Sequence, residues 1–487
     1  MFIRIGLEDL RVVLKDVGIV LEYSAVTFIA PIIMGLIYWE PLEVLGIYLF
    51  CAIFTFLAGY VIKKVFASEQ HTGLKHAFLT ATIIWLLYCF VAALPFHLIV
   101  NMSMLDSFFE AMSALTTTGL SVMKPVIDSS PKSLIFWRSV LSWIGGIGIV
   151  VLAMAGILTT YSKASKLIQA EGRDERLRPN LKNSIRNIWN IYIGLTIFGI
   201  ILLYLSGMGA FDSLNYSMSA ISTTGMDTTS TGLIGLHNFA LDASLMVIML
   251  LGAISFSTHY LVLKKRNWRY LFHDSEFKVL MLLALVSSIM ILPKMILFYG
   301  SNVIGVEEAF FQSISALTCG GFAIVPIADI RAWGDYVKLV LVGVMFIGGS
   351  AGSTAGGIKI SRFIIFVKSI YWRIKESILP AKSFFARKFE GQVLVKNEVR
   401  EINQFILLYA LLIFVGVLVL TLAGNDLGNS LFEVVSAQSN AGISAGIAVA
   451  GMPVSVEIML ILNMWIGRLE IIPILSAVGF FLSMRKR

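Results

Sequence analysis

Apolar runs nearly free of charge recur along this chain, at Tyr23–Tyr38, Leu42–Ile62, Ala77–Phe96 and Phe405–Gly424. A helix needs about 20 mostly apolar residues to cross a bilayer, so these runs predict spanning helices. Two spans come first, at about 18–38 and 42–64, and a pattern then repeats four times. Residues 106–121 (DSFFEAMSALTTTGLS), 212–227 (DSLNYSMSAISTTGMD), 308–323 (EAFFQSISALTCGGFA) and 429–444 (NSLFEVVSAQSNAGIS) align without gaps. Each places a Ser six residues before a Gly: Ser113 and Gly119, Ser219 and Gly225, Ser315 and Gly321, Ser436 and Gly442. The glycines lie 106, 96 and 121 residues apart. The predicted division is 1–70 for the two extra spans, then 71–170, 171–270, 271–392 and 393–487 for the four units.

Every unit has one plan: a long apolar segment, a short segment opened by Asp106, Asp212, Glu308 or Asn429, a Gly-containing strand of small polar residues, and a second long apolar segment. The short segment cannot span and reads as a re-entrant helix, its opener capping exposed N–H groups at the positive dipole end. Non-helical backbone at membrane depth is tolerated only where protein buries it or water reaches it, so four such loops point to one central axis. The predicted fold is an all-α integral membrane protein of ten spans, with four membrane–pore–membrane repeats around one pore.

Composition agrees: 57% of the 487 residues are hydrophobic and 14% charged, which excludes a water-soluble enzyme. Lys and Arg exceed Asp and Glu by 38 to 30, and the bases come in blocks at Lys63–Lys64, Lys163–Arg186, Lys264–Arg269, Arg362–Arg400 and Arg485–Arg487. From Glu401 to Gly467 there are none. That distribution predicts a positive-inside topology with both termini cytoplasmic, not a nucleic-acid surface. Residues 1–16, with Glu8, Asp9 and Asp16, read as a short helix on the cytoplasmic face rather than a signal peptide. Cys51, Cys89 and Cys319 form no CxxC pair, so neither a disulfide framework nor a zinc site is expected.

Four re-entrant helices would aim their partially negative C-terminal ends at the axis, and the TTTG, STTG, TCGG and SNAG strands would ring it with carbonyl oxygens. Such a ring replaces the hydration shell of a monovalent cation. The bland alternative, small-residue helix packing, accounts for one such motif far better than for four at matched positions. These motifs, with WIGGIGIVVLA at 143–153 and GGSAGSTAGGIKISR at 348–362, resemble the Trk/Ktr/HKT superfamily of potassium transporters, and the ten spans resemble its TrkH/TrkG branch. The resemblance implies a K⁺ filter formed by Thr117, Thr118 and Gly119; Thr223, Thr224 and Gly225; Cys319, Gly320 and Gly321; and Asn440, Ala441 and Gly442. Gly at all four filter positions favours K⁺, and Cys319–Gly320 departs from the Thr-Thr of the first two loops. Also implied are a bacterial inner-membrane location, a homodimer, and a nucleotide-binding regulatory subunit of the TrkA type. That subunit would dock on the basic surfaces Lys163–Arg186, Lys264–Lys278 and Trp372–Arg400, which would suit anionic membrane lipid as well. With no Walker A and no GxGxxG after a strand, this chain itself is expected to bind no nucleotide.

The run Gly348–Gly357 holds five glycines, Gly348, Gly349, Gly352, Gly356 and Gly357, where the second helix of the third repeat is expected. Such a run breaks a helix, and with the resemblance it implies an intramembrane gating loop; close helix packing is the alternative. Lys359 and Arg362 follow it and mark the cytoplasmic half of the broken helix or snorkel. The run also matches G-x-S-x-G around Ser350, the pattern of a serine nucleophile, with His97 and His259 the only histidines on spans to serve as a base. Arg468 stands alone in the last apolar segment, roughly 20 Å deep at 1.5 Å per residue. An intramembrane Arg lines an aqueous path or pairs locally, here with Glu470 or with a carboxylate elsewhere. Asp106, Glu110, Asp212, Glu308 and Glu433 read as caps and vestibule charges. A secondary transporter coupled to Na⁺ or H⁺ is the nearest rival, but such folds commonly use inverted repeats, whereas these four run parallel.

Overall fold

The computed structural model describes residues 7–70, 74–148, 181–236, 238–380, 386–390, 392–471, 473, 474 and 479. The basic stretches 163–180 and 485–487 lie outside them. Among the described residues the regular structure is helical, apart from a short antiparallel ribbon, β1 (Lys388–Phe389) with β2 (Gln392–Val393). The N-terminal helix corrects the expectation of a separate surface helix. α1 (Leu7–Ser24) runs through a 3₁₀ turn (Ala25–Phe28) into α2 (Ile29–Ile37), and the whole of Glu8–Ile37 forms one candidate span. Its acidic side chains are met within the bundle: Asp9 lies 2.7 Å from His76, and Glu22 pairs with Lys63 at 2.9 Å. α1 crosses α3 (Leu42–Val65) at Gly18 and Gly59, where a Cβ would lie 2.6 Å from the Lys63 amide and 2.5 Å from the Glu22 amide. Backbones approach this closely only through small residues, as is usual between membrane helices.

Each repeated unit lays out its elements in the same order. The first is α4 (Leu74–Val100), α5 (Met104–Leu115) and α6 (Lys132–Ile147). The second is α7 (Leu181–Leu205), α8 (Ala210–Ile221) and the bent pair α9 (Phe239–Ala253) and α10 (Phe256–Lys265). The third is α11 (Ser275–Tyr299), α12 (Asn302–Leu317), the short α13 (Ile327–Ala332), α14 (Gly334–Ile347) and α15 (Ile360–Ile378). The fourth is α16 (Lys396–Leu422), α17 (Leu427–Gln438) and α18 (Val454–Leu469). Among the described residues six helices are long and apolar enough to cross a bilayer, and the α9–α10 pair, bent by 98°, makes a seventh. Large apolar side chains such as Phe50, Ile197, Leu282 and Leu407 point outward from these spans, as lipid requires.

The remaining second helices are not the continuous segments that their hydropathy suggests. α6, α14 and α18 are 16, 14 and 16 residues long and stop within three residues of the aligned Gly145, Gly348 and Gly467, where the backbone leaves helical space. Gly148 has φ +98°, Gly348 φ +73° and Glu470 φ +60°, and Ile254 at the α9–α10 bend is extended. The short helices also start differently from expectation. α5 is capped by Ser103, whose hydroxyl accepts the Asp106 amide at 3.0 Å while Asp106 accepts the hydroxyl at 2.7 Å. Asp426 caps α17, and Ser301 starts α12 seven residues, about two turns, before Glu308. Asp106, Asp212 and Asn429 therefore sit in the first turn rather than at the cap, where an acid still suits the dipole.

Candidate functional site: a four-stranded axial ring

α5, α8, α12 and α17 each end in a polar cap residue, Thr116, Ser222, Thr318 or Ser439, and then turn abruptly. The next residue is left-handed in all four: Thr117 at φ +57°, Thr223 at +55°, Cys319 at +55° and Asn440 at +53°. Two positions on, Gly119, Gly225, Gly321 and Gly442 again have positive φ, from +75° to +91°. Alternating left-handed with ordinary φ turns successive carbonyls to one side of an extended strand. β-branched residues such as Thr117 and Thr223 rarely accept positive φ, and that strain persists only where the surroundings over-determine it. Here they do. The amides of Thr118, Thr224, Gly320 and Ala441 donate to the carbonyls of Ser113, Ser219, Ser315 and Ser436 at 2.8–2.9 Å. The repeated serine thus works first through its backbone. Its hydroxyl adds a contact in the second and third units, accepting from the Met226 amide and donating to the Phe322 carbonyl at 2.7 Å.

The four strands meet in backbone contact. A Cβ on Gly119 would lie 1.8 Å from the Thr224 carbonyl oxygen, on Gly442 2.0 Å from that of Thr118, on Gly321 2.4 Å from that of Thr224, and on Gly225 2.3 Å from the Gly321 carbonyl carbon. No side chain fits at any of the four. Cys319 takes the same left-handed φ as Thr117, Thr223 and Asn440. Gly145, Gly252 and Gly467 open the space behind the ring, since a Cβ there would come within 1.9 to 2.7 Å of the Leu115, Ile221 and Gln438 carbonyls at the ends of the short helices. These glycines were readable in the sequence only once the helices had been aligned on one another.

Glu110 and Glu433 are fully buried and are not vestibule charges. Glu433 accepts from the Ser444 hydroxyl and the Ala445 and Ala448 amides at 2.7–2.9 Å, gripping the strand that leaves the ring. Glu110 does the same with the Ser121 hydroxyl and the Val122 amide, and also accepts from Arg138 at 2.8 Å. In the second unit Tyr216 takes this place and donates to Asp227 at 3.2 Å. Farther out, the exposed Asp128 is held below the usual carboxylate range by the Ser230 hydroxyl and amide.

The two sides of the ring differ. On one side the four glycines open into a cavity of about 350 Å³. On the other the space shrinks to about 40 Å³, lined by Ser353, Ala355, Gly356, Asn440 and Arg468 among others. The Gly348–Gly357 segment fills it. Amides of Ser350 and Thr354 donate to the Ala253 and Gly252 carbonyls at 3.0 and 3.3 Å, and Thr354 Oγ1 lies 2.9 Å from the Ile221 and Gly252 carbonyls. Gly357 donates to the Ser439 carbonyl at 3.0 Å, and a Cβ on Gly356 would lie 1.8 Å from that oxygen. From the outside Glu276 accepts the Ala351 amide at 2.7 Å. Ser350 offers no hydrolase chemistry: its hydroxyl has no hydrogen-bond partner among the described residues, and His97 and His259 are engaged by the Met102 and Leu251 carbonyls.

Arg468 follows Gly467 in the place held by Gly146, Ala253 and Gly349 in the other units. Its guanidinium donates to the Thr354 carbonyl at 3.1 Å and to the Gly145 and Gly146 carbonyls, so it joins the loop to the end of α6. Of the alternatives for Arg468, a local pair with Glu470 is the less favoured, since Glu470 is taken by another arginine. Glu470 accepts from Arg362 at 2.6 Å, and Arg362 also lies over the Phe405 ring. Lys359 bonds back to the Ala355 carbonyl.

Long apolar helices with short helices between them, and a ring of four glycine strands between a wide and a narrow cavity, describe a multi-pass membrane protein. The TrkH family of cation transport proteins matches residues 47–482, and the chain belongs to that family. An uncharacterized cation transporter of Methanocaldococcus jannaschii is 32% identical across 97% of this chain and 96% of its own. The Trk system potassium uptake protein TrkG of Escherichia coli is 29% identical, covering 97% and 99%. The crystal structure of the potassium transporter TrkH from Vibrio parahaemolyticus superposes with a TM-score of 0.82 at 28% identity, over 96% of this chain and 98% of that one. The family is one of transporters, not enzymes.

Proposed function

We propose that this chain is the K⁺-conducting membrane subunit of a Trk-type uptake system. Four units, at about 71–170, 171–270, 271–392 and 393–487, surround the pore. Carbonyls of Thr117–Gly119, Thr223–Gly225, Cys319–Gly321 and Asn440–Gly442 form the filter. The observation that carries this reading is the mutual contact of four glycine strands, with no room for a side chain at any of the four glycines. A carbonyl cage of that kind exchanges for the water of a K⁺ ion at little cost. K⁺ then moves down its electrochemical gradient, the membrane potential supplying about 2.3 kcal/mol per charge for each 100 mV. Gly348, Gly349, Gly352, Gly356 and Gly357 form a gate below the filter, with Arg468 beside it. The basic blocks face the cytoplasm of a bacterial cell, as do both termini. The protein works as a homodimer with a TrkA-type nucleotide-binding subunit docked on the basic face.

The test is ⁸⁶Rb⁺ uptake into proteoliposomes under imposed Na⁺ and pH gradients. Uptake driven by potential alone and poorly inhibited by Na⁺ is expected. Uptake that requires either gradient, or is blocked equally by Na⁺, overturns the reading. Arg468 supplies a second check. A fixed cation on the path repels a passing K⁺ strongly in a low-dielectric interior, so Arg468→Ala should raise flux per folded molecule while Arg468→Lys, which keeps the charge, should not. Low yield of Arg468→Ala with unaltered flux per folded molecule would make this arginine purely structural.

A further inference from the structure

Arg138 breaks the symmetry of the four units. Counted back seven residues from Gly145, Gly252, Gly348 and Gly467, the second helices carry Arg138, Leu245, Leu341 and Leu460. The three leucines are fully buried, and Arg138 is only 2% exposed. A leucine therefore suits this depth in three units, and a buried ion pair is seldom more stable than the apolar residues that could replace it. Nor is the arginine needed to hold its own strand, since Glu433 grips the fourth strand through a hydroxyl and two amides, with Leu460 in the matching helical place.

What Arg138 adds is a link between units. Nε donates to Glu110 at 2.8 Å and one terminal nitrogen to the Ser121 hydroxyl at 3.1 Å, both in the first unit. The other terminal nitrogen donates to the Asp227 carbonyl of the second unit at 2.8 Å. Ser121 and Asp227 lie two residues beyond Gly119 and Gly225, at equivalent places on neighbouring strands. The planar fork reaches its three acceptors from three separate nitrogens in fixed directions, a spread that the compact ammonium of lysine does not match.

We propose that Arg138 is a positioning residue for ion selectivity: it sets the spacing between the first and second filter strands and so the size of the cage at Gly119 and Gly225. The inference rests on the filter assignment above. The experiment measures the K⁺ over Na⁺ permeability ratio in proteoliposomes for Arg138→Lys, Arg138→Gln and Arg138→Leu, alongside the melting temperature of each purified protein. Arg138→Lys keeps a charge for Glu110 but not the spread of three nitrogens. Its ratio should fall about tenfold, equivalent to ~1.4 kcal/mol, with K⁺ flux retained, and Arg138→Leu should fall at least as far. A lowered melting temperature with a wild-type ratio in the recovered variants overturns the proposal, and so does failure of all three to fold, because the arginine is then a structural residue. Gly119→Ser, measured in parallel, separates the two levels. If it changes the ratio while the Arg138 variants do not, this inference fails alone; if neither does, the filter assignment fails with it.

Discussion

Removal of Gly349–Thr354 should raise K⁺ flux by at least an order of magnitude in the absence of any regulatory subunit. The deleted residues carry the Ser350 and Thr354 amide bonds to α9, the Thr354 hydroxyl contacts, the Ala351 bond to Glu276 and the Thr354 carbonyl that Arg468 grips. Each hydrogen bond is worth about 0.5–1.5 kcal/mol net. Losing several together exceeds the ~1.4 kcal/mol that changes an equilibrium tenfold. The neck of the loop survives, because Ile358 and Lys359 donate to the Phe346 and Ile347 carbonyls at 3.0 and 2.9 Å, outside the deleted stretch. The variant is therefore expected to insert and purify like the parent, and ⁸⁶Rb⁺ uptake checks the flux. Normal insertion with unchanged flux would show the segment to be packing material.

The repeat, the ring glycines and the helix-breaking run were legible because each depends on local properties of the chain: apolar length, positive φ and the low helix propensity of Gly. Other features depend on partners far along the chain and were not. Glu110 and Glu433 look like vestibule charges in sequence, since nothing in a one-dimensional pattern says that the departing strand folds back over them. The α9–α10 bend falls at Ile254, two residues past Gly252, whose place is explained by its contact with the Ile221 carbonyl, and no Pro marks it. Its one local signal is Ser255, which caps the second half by accepting the Ser257 amide. Asp106 reads as a cap in sequence although it lies a turn inside α5, because Ser103, the true cap, precedes an acid that is itself a plausible cap. For Arg468 the depth could be counted along the helix, but its carbonyl partners belong to units more than a hundred residues away.

Gly119→Ser should collapse K⁺ over Na⁺ discrimination, by about tenfold or more, while leaving the spans intact. Two effects act at this position. Any side chain at φ +91° meets the intrinsic penalty of the left-handed region, about 1–2 kcal/mol, and the new Cβ would lie 1.8 Å from the Thr224 oxygen. That oxygen also lies 2.4 Å from the Cβ direction of Gly321 and 3.0 Å from that of Gly442, so displacing it disturbs three strands at once. Gly424 separates the two effects. Its φ is +93°, nearly that of Gly119, yet nothing lies within 4 Å of its Cβ direction. Gly424→Ser carries the backbone penalty without the crowding, and should lower the melting temperature while keeping the wild-type permeability ratio. Measuring ratio and melting temperature for both variants isolates the contribution of the ring. A Gly119→Ser protein that discriminates as well as Gly424→Ser would mean that the four glycine strands pack the core of the bundle and do not select the ion.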